Sequence, residues 1–138
     1  MAANSDAALG NAANQIILDI NAATNVGFRA TGTFSTGHTF VLNQASNAIE
    51  VTAGNTFTLT SAFSFPTASN ALRKNDNGIF EISASNSTWN GVLTIGAGAV
   101  KVSNANALGS VTGNTVVTGT GAALQLNAVV IGEPTSLN

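Results

Sequence analysis

Residues 104–110 (NANALGS) repeat, far along the chain, the phrase of residues 5–11 (SDAALGN). Each copy is followed by a short polar spacer and then by a β-rich run, residues 16–18 (IIL) after the first and residues 116–117 (VV) after the second. A phrase that returns in this way indicates a chain built from stacked units. The sequence therefore predicts a repeat architecture, which is first of all a scaffold.

The composition favours short strands and turns, and it argues against several classes of function. Apolar residues make up 44% of the 138 residues and charged residues only 7%, against about 25% in an ordinary soluble domain. The net charge is −2 with four basic residues, so we expect no nucleic-acid binding and no attachment to an anionic membrane. The chain has no cysteine and no apolar stretch long enough to span a bilayer, so we expect no disulfide, no thiolate metal site and no membrane insertion.

Alternation of apolar and polar residues predicts strands, and charged residues identify the faces of those strands. Five charged residues each stand between two apolar neighbours: Asp19, Arg29, Glu50, Glu81 and Lys101. Successive side chains of a strand point to opposite faces, and burying an unpaired charge costs several kcal/mol. The charged residues therefore predict the wet face, and their neighbours the dry face. Residues 56–60 (TFTLT) and 124–126 (LQL) repeat the pattern without charge.

The segments between the predicted strands are rich in Gly and Asn, which suit turns or the corners of a coiled sheet. Residues 63–67 (FSFPT) are the predicted corner insertion, because Pro66 cannot donate to a ladder. The Ala-rich residues 2–14 predict a short cap on the first coil, and nothing after Ile131 resembles a cap.

The second half of the chain carries a recognisable series of short motifs. They are residues 72–74 (LRK), Gly78, residues 80–82 (FEI), 86–91 (NSTWNG), 93–95 (LTI), 96–98 (GAG), 100–102 (VKV) and 106–109 (NALG). This series resembles the autotransporter-associated (passenger-associated) β-strand repeat of large bacterial surface proteins. Residues 49–59 are similar to the strands that precede that unit in the same family. The chain departs from the family pattern at residues 77–80 (NGIF), which alters one corner.

The resemblance implies an all-β fold, a right-handed parallel β-solenoid (β-helix), in a secreted or bacterial cell-surface protein. At about 20–25 residues per coil, residues 1–138 make a single segment of about six coils. The column should have a length on the order of 30 Å. We expect this segment to belong to a longer repeat protein or to stack on copies of itself. Because a solenoid cut across its axis exposes unpaired strand edges, we expect its ends to meet adjacent repeats or other copies, head to tail.

Candidate sites for chemistry are few. Trp89, with Asn86 and Asn90, is a candidate contact for glycans, and packing against the coil is the competing interpretation. His38 is the only histidine, and Arg73 and Lys74 form a basic spot that we expect to be solvated. We expect no cofactor, no metal and no catalytic residue.

The leading hypothesis is a non-enzymatic stalk, fibre or filament segment. An adhesin-type module that binds glycans or surfaces is the alternative. A polysaccharide-active enzyme is a third hypothesis, and it would need paired carboxylates such as Glu50 and Glu81. The threonine row of residues 56–60 also allows an ice-binding face.

Overall fold

The computed structural model describes residues 1–18 and 27–138, and its strands wind into a parallel β-solenoid. The strands are β1 (Ala2–Ala3), β2 (Ile16–Leu18), β3 (Gly27–Ala30), β4 (Phe34–Thr36), β5 (Phe40–Leu42), β6 (Ser46–Val51), β7 (Thr56–Leu59), β8 (Ala71–Asn75), β9 (Ile79–Ile82), β10 (Val92–Ile95), β11 (Ala99–Val102), β12 (Asn114–Val117), β13 (Ala123–Leu126) and β14 (Thr135–Leu137). One short 3-10 helix, Asp6–Leu9, lies between β1 and β2.

Three parallel sheets form the sides of the column. The first has seven strands in the order β1-β3-β6-β8-β10-β12-β14, and the second has five in the order β13-β11-β9-β7-β4. The third pairs β2 with β5 and continues as one bridge from Val41 to Ser64. Six windings separate β1 from β14, so the predicted β-solenoid of about six coils is confirmed.

Alternate positions of the strands line up in rows along the inside of the column. In the seven-stranded sheet one such row consists of Phe28, Ile49, Lys74, Ile95, Val117 and Leu137. In the five-stranded sheet the two inner rows are Phe34, Phe57, Phe80, Val100 and Leu124, and Thr36, Leu59, Ile82, Val102 and Leu126. These rows meet to form a continuous apolar core.

The charged residues lie on the outside, as the alternation predicts. Arg29 is exposed, and Glu50, Glu81 and Lys101 are partly exposed, while their apolar neighbours in the strands are fully buried. Asp19, the fifth residue of this prediction, lies outside the described residues.

The windings are close to the predicted length. Register partners in the seven-stranded sheet are 20–22 positions apart from Arg73 onward, and Arg73 itself follows its partner Ala48 by 25 positions. The longer winding contains residues 63–67, the predicted corner insertion, although Ser64 within them still forms the bridge to Val41.

The repeated phrase that opens the sequence does not mark equivalent positions of the coil. Residues 5–11 lie between β1 and β2, whereas residues 104–110 lie between β11 and β12, on another side of the column. Both copies nevertheless bury their leucine, Leu9 or Leu108, and continue to a glycine with positive φ, Gly10 or Gly109. The phrase is thus a local turn motif used twice.

No helix within the described ranges has the length and apolar character that a transmembrane span requires.

Candidate interaction site at the C-terminal end

The candidate catalytic carboxylates lie on different sides of the column. Glu50 is on β6 of the seven-stranded sheet, where Arg29 Nε lies 3.7 Å from its Oε2. Glu81 is on β9 of the five-stranded sheet, where it accepts a hydrogen bond from Ser103 Oγ at 2.7 Å and lies 3.3 Å from Lys101 Nζ. Each carboxylate is engaged with its own neighbours, and the two do not share a cleft.

The threonine row does not extend along the column. The outward row through Thr58 contains Ser35, Glu81, Lys101 and Gln125, so Thr58 has no threonine in the coil on either side of it. The ice-binding interpretation needs a flat threonine array, and this face is mixed and charged.

His38 is buried at a corner and is bound from the first coil. Its Nδ1 lies 2.8 Å from the Asn14 carbonyl oxygen, which can only accept, so Nδ1 carries the proton. Its Nε2 is buried without a hydrogen-bond partner among the described residues, 3.8 Å from Asp6 Oδ1. The sequence neighbours of His38 gave no sign of these contacts, because the partners come from another winding.

Trp89 is a packing residue. Its ring is fully buried, lies 5.9 Å from the Phe63 ring, and donates through Nε1–H to the Asn70 carbonyl oxygen at 2.7 Å. A methyl group at Gly91 would collide with that same carbonyl, which explains the glycine beside the indole. The candidate glycan contact at Trp89 is therefore wrong for this structure, because the ring has no face open to solvent.

Asn86 is also buried, and it connects three windings. Its Oδ1 accepts from the Phe63 amide at 2.8 Å, and its Nδ2 donates to the Ala107 carbonyl oxygen at 2.8 Å. Asn90 alone of the three candidate glycan residues is exposed, and its backbone N–H donates to the Ala68 carbonyl oxygen at 2.9 Å. The three residues do not form a joint surface.

Lys74 is fully buried, and the prediction of a solvated basic spot is wrong for this residue. Its side chain points inward in the row between Ile49 and Ile95, and its Nζ donates to the carbonyl oxygens of Asn75 (2.8 Å), Asp76 (2.7 Å) and Ala97 (3.2 Å). Burial lowers the pKa of Lys74 to about 8, and the charges of Asp76 and Glu50 oppose that shift. Three convergent carbonyls at a corner replace the water that a lysine ammonium otherwise needs.

Arg29 makes an ion pair with a residue two windings away. Its Nη2 donates to Asp76 Oδ2 at 2.9 Å, across the coil that contains Glu50. The pair lies at the surface, where it is screened by solvent.

Glu133, like Lys74, is a buried ionisable residue that the sequence did not predict. Thr115 Oγ1 donates to its Oε1 at 3.2 Å, while its buried Oε2 has no hydrogen-bond partner among the described residues. Burial raises the pKa of Glu133 to about 7, and the hydrogen bond from Thr115 partly offsets that effect. The residue precedes β14 and holds the last winding against β12.

The C-terminal end of the column is apolar and open. Leu126 ends one inner row and is 50% exposed, and Leu137 ends another and is 85% exposed. A depression of about 300 Å³ opens there, lined by Val117, Leu124, Leu126, Ile131, Thr135, Ser136 and Leu137. Leu124, predicted on the dry face, is partly buried, whereas Leu126, also predicted there, is half exposed because no strand among the described residues lies beyond β13.

The strand edges at this end are also free. Strand β14 pairs only with β12, and β13 pairs only with β11, so each has one side without a strand among the described residues. Free backbone donors and acceptors beside an apolar depression are the features of a strand-addition surface. We therefore define the C-terminal end surface as β13, β14 and the depression between them.

No protein-family model matches the chain, and neither a curated protein nor a solved structure matches it. The resemblance to the autotransporter-associated repeat therefore stays a prediction from the sequence.

Proposed function

We propose that this chain is a non-enzymatic structural segment of a secreted or cell-surface protein, a stalk, fibre or spacer that further coils or copies extend end to end. The observation that carries the proposal is that buried polar side chains connect one winding to the next. Asn47 Nδ2 donates to the Ala71 carbonyl oxygen at 3.0 Å, and Asn70 Nδ2 donates to that of Leu42 at 2.6 Å. Such contacts stabilise the stack, and each added coil lengthens it.

The proposed location rests on the composition and on the family resemblance. Only 7% of the residues are charged, and the rest of the polar residues are mostly Thr, Ser and Asn. The resemblance to the repeat of bacterial surface proteins points to the same compartment.

Neither alternative function has an observation that favours it. An adhesin that stacks a sugar on Trp89 needs a ring that this molecule buries. A polysaccharide enzyme that uses Glu50 and Glu81 needs two carboxylates at one site, and these lie on different sheets.

Removing one complete coil tests the spacer proposal. Ile79 and Ala99 are register partners, so deleting residues 79–98 joins Gly78 to the next coil at the equivalent position. We expect a folded column that is shorter by about 4.8 Å. The measurement is the distance between spin labels on cysteines introduced at Ala2 and Thr135, in a chain that has no cysteine of its own.

Deleting only residues 79–88 is the matched control. It removes half a winding and displaces every later strand to the wrong side of the column, so we expect loss of the β-sheet circular dichroism signal. The full-length chain is also applied to a glycan array and to a panel of polysaccharides. Selective glycan binding, or hydrolysis abolished by Glu50→Gln or Glu81→Gln, would contradict the spacer proposal.

A further inference from the structure

We propose that Asn90–Gly91 is a modification site, at which the side-chain amide of Asn90 is converted spontaneously to a carboxylic acid through a cyclic imide. The chain contains two Asn-Gly dipeptides, residues 77–78 and 90–91, and they differ in how the glycine nitrogen is bound. The inference goes beyond the proposed structural function, because it concerns the chemical lifetime of one corner of the column.

The reaction needs only the side chain of Asn90, the backbone nitrogen of Gly91 and water. The Gly91 nitrogen attacks the Asn90 Cγ, so that a new N–Cγ bond forms and the Cγ–Nδ2 bond breaks. The side-chain nitrogen leaves as ammonia and takes the proton of the Gly91 N–H, and no group is oxidised or reduced. Water then opens the imide at one of its two carbonyl carbons, which gives aspartate or isoaspartate. A glycine in the second position suits the reaction, because it has no side chain to hinder the ring.

The two dipeptides are matched in their exposure to solvent. Asn77 and Asn90 are both exposed, whereas Gly78 and Gly91 are both buried. Neither asparagine side chain makes a hydrogen bond within the part of the chain that the structure describes, and neither glycine has a positive φ. Access of water to the side chain therefore does not distinguish the two sites.

The difference lies in the nitrogen that attacks. The Gly78 N–H donates to the Val51 carbonyl oxygen at 2.8 Å, which directs it toward the neighbouring winding. The Gly91 N–H donates to no acceptor within residues 1–18 and 27–138. A buried N–H without an acceptor is rare in folded proteins. The Gly91 nitrogen can therefore reach the Asn90 side chain without breaking a hydrogen bond to the protein.

The corner that contains Asn77 is also shorter and more firmly held. Residues 76–78 join β8 directly to β9, and the Asp76 carbonyl oxygen accepts from Lys74 Nζ at 2.7 Å. Residues 83–91 form the much longer connection from β9 to β10. Closure of the imide requires rotation about the Cα–C bond of the asparagine, and a longer connection accommodates that rotation more easily.

Isoaspartate at position 90 would change the chain where two windings touch. Trp89 Nε1–H donates to the Asn70 carbonyl oxygen at 2.7 Å, and Gly91 lies so close to the same oxygen that a Cβ there would collide with it. Isoaspartate inserts one methylene into the backbone between these two contacts, so both cannot stay as they are. Aspartate keeps the length of the backbone and adds only an exposed charge. We therefore expect isoaspartate, but not aspartate, to loosen this corner.

Incubation of the folded chain of residues 1–138 in mildly alkaline buffer tests the proposal. Peptide mapping by mass spectrometry measures the loss of asparagine at positions 77 and 90 and separates aspartate from isoaspartate. We expect Asn90 to react about ten-fold faster than Asn77, because the Gly78 N–H must first leave the Val51 carbonyl oxygen. In concentrated urea that hydrogen bond is absent, and the two rates should become similar.

The variants Asn90→Ser and Asn77→Ser form a matched pair. Each removes an exposed asparagine side chain that makes no hydrogen bond to the described residues, so both should fold as the unaltered chain does. Asn90→Ser should abolish most of the ammonia released by the folded chain, and Asn77→Ser should leave the release nearly unchanged. Hydrogen exchange gives an independent readout, in which the Gly91 amide should exchange faster than the Gly78 amide.

Equal rates at the two sites of the folded chain, or a faster loss of Asn77, would overturn the proposal. The same holds for a folded chain in which neither asparagine reacts although both react in urea. Thermal unfolding of the isoaspartate form, separated by chromatography, is compared with that of Asn90→Asp. We expect a lower midpoint for the isoaspartate form alone, and equal midpoints would contradict the predicted loosening of the corner.

Discussion

The two ends of the column differ in how the inner rows begin and finish. At the N-terminal end, Phe28 is fully buried and Thr36 is 2% exposed, although each begins a row of strands. At the C-terminal end, Leu137 and Leu126 finish the same two rows and are largely or half exposed. Inward orientation alone therefore does not create a core in a solenoid. An inner side chain is buried only when another layer lies beyond it. At the N-terminal end, β1 lies beyond β3 and the 3-10 helix lies against β4.

The largest expected difference in stability between the two regions concerns the inner row that begins with Phe34, Phe57 and Phe80 and ends at Leu124. Phe57 packs against Phe28, Phe34, Phe40 and Phe80 with ring centroids 5.0–5.6 Å apart. We expect Phe57→Ala to lower the free energy of unfolding by about 3–5 kcal/mol. Leu124→Ala, at the C-terminal end of the same row, should cost about 1–2 kcal/mol because Leu124 is only partly buried. Urea unfolding measures both, and equal losses would contradict the comparison.

The next largest expected effect is the pH dependence of stability that Glu133 causes in the C-terminal coil. The pKa of Glu133 is about 7 in the folded chain against 4.5 for the ordinary group, so the folded state retains a proton that the unfolded chain has released. The contribution of Glu133 to stability is therefore full below about pH 4.5 and is lost as the pH rises to about 7. The loss amounts to about 3 kcal/mol at most.

Comparing Glu133→Gln with the unaltered chain by urea unfolding from pH 4.5 to 8.5 isolates this effect. The stability advantage of the unaltered chain over the variant should shrink across the interval. Glu81→Gln is the control, since it leaves Glu133 in place and should preserve the decline. An advantage that is constant with pH would show that Glu133 ionises as freely as an exposed carboxyl.

A smaller effect is expected at the buried lysine in the middle of the column. Lys74→Met removes three hydrogen bonds to corner carbonyls, and we expect a loss of about 1–3 kcal/mol. Relief of the desolvation of the ammonium limits this loss. Arg73→Met, one position away and exposed, should change stability by no more than about 0.5 kcal/mol. Chemical unfolding of both variants at pH 7 makes the comparison, and equal effects would exclude a special role for the corner.

The smallest expected effect comes from replacing a corner glycine, and the same corner can be tested in two regions of the column. Gly54 and Gly121 each stand two residues before a strand of the five-stranded sheet, have φ of 79° and 77°, and have open space where a Cβ would lie. Replacing either by Ala should cost about 1 kcal/mol, because only the backbone conformation is penalised. A cost at Gly54 without one at Gly121, in thermal unfolding, would show that the last coil opens before the rest.

The alternation of apolar and charged residues was sufficient to predict which face of most strands is buried. Successive side chains of a strand point to opposite faces, so an exposed charge places its two apolar neighbours inside. The prediction failed at Lys74, because the rule that a charge marks the wet face ignores carbonyls gathered at a turn. A usable signal was present: Lys74 alternates with the buried Leu72 and comes directly before the turn-forming residues 75–78.

The contacts between windings were beyond prediction from the sequence. Asn14 is 24 positions from His38, and Asn86 reaches Phe63 and Ala107 in two other coils. Such partners can be named only when the length of every winding is known, and that length varies with corner insertions such as residues 63–67. The repeated phrase at residues 5–11 and 104–110 gave the correct architecture although its copies lie on different sides of the coil.

The ion pair between Arg29 and Asp76 has a consequence for cooperativity. Stability in repeat proteins is usually described by the intrinsic energy of each unit and by nearest-neighbour terms. This pair adds a next-nearest-neighbour term, worth up to about 1 kcal/mol at low salt, that joins β3 to the turn after β8. Strand separation that starts at β14 should therefore meet added resistance when it reaches that turn, and the resistance should fade as added salt screens the pair.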